Sequence, residues 1–237
     1  MLIFISLNKL FIKLSLISET FINIKNLILK ANKMKKYERI YREILIGILN
    51  KKERFSQLEL SKKCYVSIGL VNKILKKLKE TGAVEIFPMQ FRILDASKII
   101  FDWATKRNMN KEVSEKYCID MKTTEMENSL PFILTAYSAW RLLTKSVPFE
   151  YNKVYVYIPE NEKEILKTWL KDKPEKKGRE NLFVIFTNDK HLIENSKKKI
   201  APIPQIFVDI YGLSEFESKY FIKDILEKYP LFKIEIE

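Results

Sequence analysis

The sequence predicts an α+β fold in which a mostly helical N-terminal domain ends in a β-hairpin and is followed by a C-terminal mixed α/β domain. Three patterns support this prediction: apolar residues at helical spacing between residues 37 and 81, two short alternating strands directly after them, and alternating helix and strand segments beyond residue 111. The chain has 237 residues, enough for two domains with cores of their own. We place the N-terminal domain at residues 34–110 and the C-terminal domain at residues 111–237.

Three helices are predicted in the N-terminal domain. Residues 37–49 carry isoleucines and leucines at i, i+4 spacing, which is typical of an amphipathic helix. Residues 56–64 form a short second helix, because Ser56 can cap its N-terminus and Glu59 completes a capping box three residues later. The third helix covers residues 67–81. Its predicted buried stripe consists of Val71, Leu75 and Leu78.

A glycine and a hairpin follow the third helix. Gly82 occupies the position where a helix end favours a left-handed residue. Residues 84–87 and 91–94 alternate as two short strands, joined by a tight turn at residues 88–90. Helix, short helix, turn, helix and hairpin is the order of a winged helix-turn-helix. In that fold the first two helices bury one side of the third and leave its other side free for the DNA major groove.

The C-terminal domain alternates between helical and extended segments, which favours a mixed α/β architecture. The predicted helices are residues 125–145, 161–171 and 214–229, the last one capped by Ser214 with Glu217 in the capping-box position. The predicted strands are residues 153–158, 181–187 and 206–210.

The net positive charge lies entirely within residues 1–110. Of the formal net charge of +13, residues 1–33 carry +4 and residues 34–110 carry +9, with 17 Lys or Arg against 8 Asp or Glu. Residues 111–237 hold 21 residues of each sign and are neutral. Such an asymmetry indicates a polyanionic partner for the N-terminal part, either nucleic acid or an anionic membrane surface.

The outward positions of the third helix are candidate contacts to double-stranded DNA. Asn72 can form two hydrogen bonds with an adenine and Lys73 can donate to guanine, while Lys76 and Lys77 reach phosphates. Gly69 permits a close approach of the helix to the groove. The alternative is a lysine face that is merely solvated. The full set of candidate DNA-binding residues is Ser56, Gln57, Ser67, Ile68, Gly69, Asn72, Lys73, Lys76, Lys77, Gln90 and Arg92.

Residues 1–33 are apolar but interrupted by charges, and no charge-free run approaches the roughly 20 residues that span a bilayer. Two interpretations remain open. The segment is either an amphipathic helix that lies on a membrane or a partner, or it is translated upstream sequence ahead of a true start at Met34. We favour the second, because the N-terminal domain begins directly after Met34.

Residues for catalysis or metal binding are scarce. Cys64 and Cys118 lack a CxxC spacing, and both are expected to be buried apolar residues. His191, the single histidine, is predicted to lie exposed in a loop, and Asp209 to stand alone on a strand. No GxSxG, Walker A, GxGxxG or HExxH motif is present. We therefore expect no enzymatic activity, catalytic residue, metal site or cofactor.

The segment SQLELSKKCYVSIGLVNKILKKLKETGAVEI (56–86) resembles the winged-helix modules of prokaryotic transcription regulators. Residues 34–232 as a whole resemble AbiEi-type transcriptional regulators, the antitoxins of type IV toxin–antitoxin systems. The features that carry this resemblance are the helix of Trp103 directly after the wing and the runs LTAYSAWRLL (134–143), VYVYIP (154–159) and PQIFVDIYG (204–212).

The resemblance implies a division of labour between the domains. The N-terminal domain of such regulators binds operator repeats in its own promoter, and the C-terminal domain contributes to neutralising the toxin. The expected partners are double-stranded DNA, a nucleotidyltransferase-like toxin system and a second copy of the chain. The two cysteines, which lack the spacing of a disulfide framework or zinc site, favour a reducing, cytoplasmic location. The alternative function is a metabolite-responsive winged-helix regulator with a ligand-binding C-terminal domain.

Overall fold

The N-terminal part of the chain contains four helices and a small sheet in a computed structural model, which describes residues 36–174 and 177–233. Residues 1–33, and with them the two interpretations of that segment, lie outside the described residues. In order, the elements are α1 (Lys36–Leu49), β1 (Arg54–Ser56), α2 (Gln57–Lys63), α3 (Ile68–Glu80), β2 (Val84–Phe87), β3 (Gln90–Ile93) and α4 (Ala96–Ala104).

The predicted helix starts are confirmed by their capping hydrogen bonds. The Ser56 Oγ accepts the backbone N–H of Glu59 at 3.4 Å at the start of α2, and the Ser67 Oγ accepts that of Leu70 at 3.3 Å at the start of α3. Beyond the end of α3, Gly82 has a φ of +70°, as expected for a residue that terminates a helix.

The small sheet is antiparallel, with the strand order β1-β3-β2. Its hairpin of β2 and β3 is the wing. The inner face of the sheet packs on α3, whose Val71, Leu75 and Leu78 side chains are fully buried as predicted. Each buried aliphatic side chain contributes about 1.5–3 kcal/mol relative to exposure. This stripe therefore fixes which side of α3 faces the interior.

The second half of the described chain is built around a four-stranded sheet of order β4-β7-β6-β5, in which β6 and β7 are parallel and the other pairs antiparallel. Its elements are α5 (Met109–Glu112), β4 (Glu115–Tyr117), α6 (Thr123–Ser129), β5 (Ile133–Thr135), α7 (Ala136–Thr144), β6 (Val154–Pro159), a 3₁₀ turn (Glu160–Glu162), α8 (Lys163–Lys171), β7 (Leu182–Thr187), α9 (Lys190–Asn195), α10 (Ile203–Tyr211), α11 (Ser218–Lys228) and a second 3₁₀ turn (Pro230–Phe232). The predicted α+β class, with a winged helix-turn-helix and a C-terminal α/β region, is confirmed.

The prediction of one helix over residues 125–145 is wrong. The segment splits into α6, β5 and α7. Pro131 has no N–H to donate and disfavours helical geometry in the preceding Leu130, so α6 ends at Ser129. The chain then adds a strand to the sheet edge before it turns back into α7.

The prediction of a strand at residues 206–210 is also wrong, because these residues lie in α10. Short apolar runs cannot be assigned to helix or strand by periodicity alone, and α10 is buried nearly all round. The following helix starts at Ser218 and not at Ser214, which adopts a left-handed φ of +52° instead of capping it. Cys64 is buried as expected, whereas Cys118 is only half-buried.

The described residues, 36–174 and 177–233, belong to one compact unit. We call the elements from α1 to α4 the winged part and those from α5 onward the second half, or C-terminal half. Helix α10 of the second half packs against α1 and α4 of the winged part as well as against α7 and α11. Among the described residues, we find no helix that combines the length and the apolarity needed to traverse a bilayer.

A buried ionic network joins the two halves at Arg107. Its guanidinium donates to Glu38 of α1 at 3.0 Å, to Asp209 of α10 at 3.1 Å and to the Tyr157 hydroxyl at 2.7 Å. Asp209 also accepts the Thr135 hydroxyl at 2.6 Å. Although burial favours the neutral form of Arg107, the neighbouring Tyr157, Glu38 and Asp209 raise its pKa above the ordinary value, so it remains charged.

A second buried cluster lies beside the first and contains His191, which is 1% exposed rather than in an exposed loop as predicted. Arg42 of α1 donates to Asp189 at 3.0 Å and to the His191 Nδ1 at 3.1 Å. Because a guanidinium can only donate, Nδ1 must accept, and the Nε2 hydrogen points to Glu43 at 3.0 Å. Asp189 caps the short helix α9 and thereby positions His191.

Replacing Arg107 by methionine is expected to lower the free energy of unfolding by about 3–5 kcal/mol, because the carboxylates of Glu38 and Asp209 would stay buried without a counter-charge. Urea denaturation measures this loss. The control is Lys223→Met, which removes an exposed ion pair with Glu227 and should change stability by less than about 0.5 kcal/mol. A similarly small change in Arg107→Met would contradict the role assigned to the network.

Candidate nucleic-acid interface

The outer face of α3 is open to solvent. All seven candidate residues that the sequence places at its start or on its face are exposed: Ser67, Ile68, Gly69, Asn72, Lys73, Lys76 and Lys77. Five of them, together with Glu80, line a shallow depression of about 450 Å³. No part of the described second half covers this face, so a DNA groove can reach it.

The helical repeat explains this arrangement. Val71, Leu75 and Leu78 are drawn into the core at spacings of four and three residues, so the residues between them point away from it. The N-terminus of α3 carries Ile68 and Gly69, and a Cβ added at Gly69 would meet nothing within 4 Å. The protein's own packing therefore does not require a glycine at this position.

The lysines of α3 differ in their surroundings. Among the residues that the structure describes, Lys73 and Lys76 form no ion pair. Lys77 lies 3.4 Å from Asp102 of α4, which also binds Lys106. The positive charge of Lys73 and Lys76 is thus available for an external anion, while Lys77 is partly neutralised at the margin of the face.

The exposed side chains have chemistry that suits base edges and phosphates. The amide of Asn72 offers a donor and an acceptor, the pair that adenine requires in the major groove, and the Lys73 ammonium suits the two acceptors of guanine. Ile68 is apolar and can contact a thymine methyl group. Lys76 supplies a point charge for a phosphate.

A backbone hydrogen bond connects the start of α2 to the wing. The backbone N–H of Gln57 donates to the Met89 carbonyl at 3.3 Å, so it is not available to a phosphate. Ser56 uses an oxygen lone pair for its cap and keeps its hydroxyl hydrogen as a donor. Gln90 is half-buried, at the first position of β3.

Arg92 is exposed on the wing but has a partner there. It donates to Glu85 on β2, and its guanidinium lies 5.9 Å from the centre of the Phe87 ring. On the other side of β3, Arg54 of β1 is directly opposite Arg92 in the register. Two like charges facing each other across strands are unfavourable without an anion, and the Glu85 carboxylate beside Arg92 supplies one. The exposed Arg54 is a candidate DNA contact that sequence analysis missed, because β1 has only three residues.

The turn before α3 is held by the second half of the chain. Tyr65 has a left-handed φ of +54°, and its hydroxyl donates its one hydrogen to the Glu194 carboxylate, whose two oxygens lie 2.8 and 2.7 Å away. This hydrogen bond raises the pKa of Tyr65. Lys190 lies 4.6 Å above the same ring. The short helix α9 therefore links the C-terminal half to the start of α3 through Glu194 and Lys190. Its His191 also contacts α1.

The chain was compared with protein families, with curated proteins and with solved structures. A family model described as "Winged helix-turn-helix DNA-binding" matches residues 39–85, from α1 to the start of β2. Neither a curated protein nor a solved structure gives a significant match. Within the described residues, no group of three or more His, Cys, Asp or Glu side chains is arranged to hold a metal ion. The matched domain and its open basic face support a DNA-binding regulator of transcription whose partner is double-stranded DNA.

Proposed function

We propose that this protein is a sequence-specific repressor of transcription that binds duplex DNA through α3 and acts as an antitoxin-type autorepressor. The observation that carries the DNA-binding part is the exposed face of α3, where Asn72, Lys73 and Lys76 are accessible next to an open glycine. The N-terminal residues of the helix read base edges, and the lysines further along it neutralise phosphates.

The antitoxin-type role rests on the resemblance of residues 34–232 to AbiEi-type regulators. Its three C-terminal motifs meet inside the fold: Thr135 at the end of β5, Tyr157 of β6 and Asp209 of α10 are joined by hydrogen bonds of 2.6 and 2.7 Å. Tyr157 and Asp209 also bind Arg107, which connects them to the winged part. Their buried positions favour a role in maintaining the architecture rather than in catalysis. In this proposal a second copy of the chain occupies the second operator repeat.

Replacing Asn72 or Lys73 by alanine is expected to weaken binding to the operator by about 1–3 kcal/mol, because each residue contributes a contact to a base edge. Binding to unrelated DNA should weaken much less. The measurement is a fluorescence-anisotropy titration of two duplexes, one from upstream of the protein's own coding sequence and one of the same composition in scrambled order.

Lys79→Ala is the matched control, since it removes one exposed lysine from the C-terminal end of the same helix, two turns beyond Asn72. It should reduce affinity for both duplexes by a similar factor. Equal losses on both duplexes for Asn72→Ala and Lys73→Ala would contradict base reading by α3. A reporter under the protein's own promoter tests autorepression separately.

Replacing Gly69 by alanine is expected to separate stability from DNA binding. Alanine should stabilise α3 by up to about 1 kcal/mol, because it has the higher helix propensity and meets no internal obstacle. Operator affinity should nevertheless fall, because the added methyl group occupies space needed by the DNA. Thermal unfolding and the titration above measure the two effects. Unchanged operator affinity would show that Gly69 does not approach the groove.

A ligand-responsive regulator is the second candidate, favoured by a cavity of about 290 Å³ where α1 meets the second half. Ile46, Leu49 and Asn50 line it from the winged part. Asn195 and Lys197, at the end of α9, contribute polar groups on the opposite side. A small apolar molecule with an anionic group fits this lining, and α9 would carry its effect to Tyr65.

This candidate predicts that an apolar carboxylate found by thermal-shift screening stabilises the protein and changes its operator affinity. In a Tyr65→Phe variant, which lacks the hydrogen bonds to Glu194, the compound should still stabilise the protein but should no longer change operator affinity. Retention of the full change in the variant would exclude α9 as the connection. A screen without any stabilising compound would count against the candidate itself.

A further inference from the structure

The tip of the wing is an exposed apolar turn. Only Pro88 and Met89 connect β2 to β3. The Met89 side chain is 82% exposed, a larger fraction than for any other large apolar side chain in the part of the chain that the structure describes. The adjoining Phe87 is also exposed. Folding gains nothing from a methionine in this position, since its side chain has no core to enter.

The backbone conformation at position 89 also disfavours methionine. Met89 has a φ of +64°, in the left-handed region that glycine adopts readily and residues with a Cβ avoid. The second central position of a two-residue turn with a preceding proline is one where glycine or asparagine is normally favoured. The chain carries a long apolar side chain at this site although a glycine would fit the turn better.

The tip is held rigidly at the edge of the DNA-binding face. The Met89 carbonyl accepts the N–H of Gln57, the first residue of α2, and Gln90 pairs with both Phe87 and Ser56 in the sheet. The ring of Pro88 further restricts the turn. Met89 is therefore fixed beside the start of α2, and Arg92, three residues further along the chain, lies opposite Arg54 in the sheet.

We infer that Met89 inserts into the minor groove beside the site read by α3 and partly unstacks one base-pair step. This inference rests on the proposed function, because it requires the winged part to bind duplex DNA. Apolar wedges such as Met and Pro enter the minor groove in this way and kink the duplex by roughly 20–90°. The matched DNA-binding domain that leads into β2 favours DNA over a lipid or protein partner, and the exposed Arg54 supplies a cation for a phosphate beside the groove.

A wedge at this place adds sequence preference without a hydrogen bond to a base. Pyrimidine–purine steps are unstacked most easily, so the best operators should contain such a step at a fixed distance from the bases that α3 contacts. The wing then selects DNA by its deformability, and α3 selects it by its base edges.

The test uses the full-length protein and duplexes that it selects from a random library of DNA. Bending is measured by energy transfer between dyes at the duplex ends, and unstacking by the fluorescence of 2-aminopurine placed at each flanking step. The wild-type protein should bend the DNA by at least about 20° and raise the fluorescence at one step. Met89→Leu, which keeps an apolar side chain of similar size, should retain both effects.

Met89→Gly and Met89→Asn, which suit the left-handed turn, should lose the bend and the fluorescence increase. Their operator affinity should fall by about 10-fold, the scale of one lost favourable contact. Their melting temperature should stay equal or rise by roughly 2–4 °C. The fold is thus maintained while the wedge is removed.

Bending and affinity equal to the wild type in Met89→Gly would overturn the wedge while leaving base reading by α3 intact, which the Asn72 and Lys73 variants report independently. Loss of self-association in Met89→Gly, with bending unchanged, would assign Met89 to a protein contact and would also overturn the inference. Absence of any selected duplex for the wild-type protein would refute both this inference and the proposed function.

Discussion

The guanidinium of Arg107 is completely buried between the winged part and the C-terminal half, and the fold requires it to be matched there by charge. Glu38 of α1 and Asp209 of α10 provide that match, and the Tyr157 hydroxyl oxygen accepts a further hydrogen bond from the guanidinium. Removing either carboxylate would leave part of a buried charge uncompensated, which costs several kcal/mol. The two halves therefore hold each other in a defined orientation, and the position of α3 relative to the C-terminal half is set by this contact.

Two groups of cations among the described residues have different roles. Arg42 and Arg107 are buried and hold the structure together. Arg42 binds Asp189 and His191. Arg107 binds two carboxylates and a tyrosine hydroxyl. Lys73 and Lys76 lie on the solvent side of α3, where the described carboxylates do not reach them. Net charge alone does not distinguish these groups. Only the second group contributes to the field that attracts a polyanion, and only the second can exchange counterions for phosphates.

Helix α9 connects the C-terminal half to α1 and to the turn before α3. Its residues contact α1 through His191 and the turn before α3 through Glu194 and Lys190. The α9 contact at Tyr65 is exposed and small, whereas the Arg107 contact is buried and strong. The buried Asp189 and His191 anchor the same helix to Arg42 of α1, so α9 ties the turn before α3 to the interior of the protein.

The amino-acid sequence by itself determined the elements whose signals are local. Ser56 and Ser67 cap α2 and α3 through bonds within three residues, Gly82 ends α3, and the stripe of α3 follows from the helical repeat. Local chemistry suffices in these cases because each partner lies within one helical turn. The exposed set on α3 follows from the same repeat.

Tertiary structure alone decided the features whose partners are distant in the chain. His191 is buried because Arg42 and Glu43, nearly 150 residues earlier, enclose it. Residues 206–210 lie in α10, which packs against α1 and α4 of the winged part and against α7 and α11 of the second half. Arg54 became a candidate contact only when β1 paired with β3. Such partners are chosen by packing and charge matching in three dimensions, and neither periodicity nor spacing along the chain carries that information.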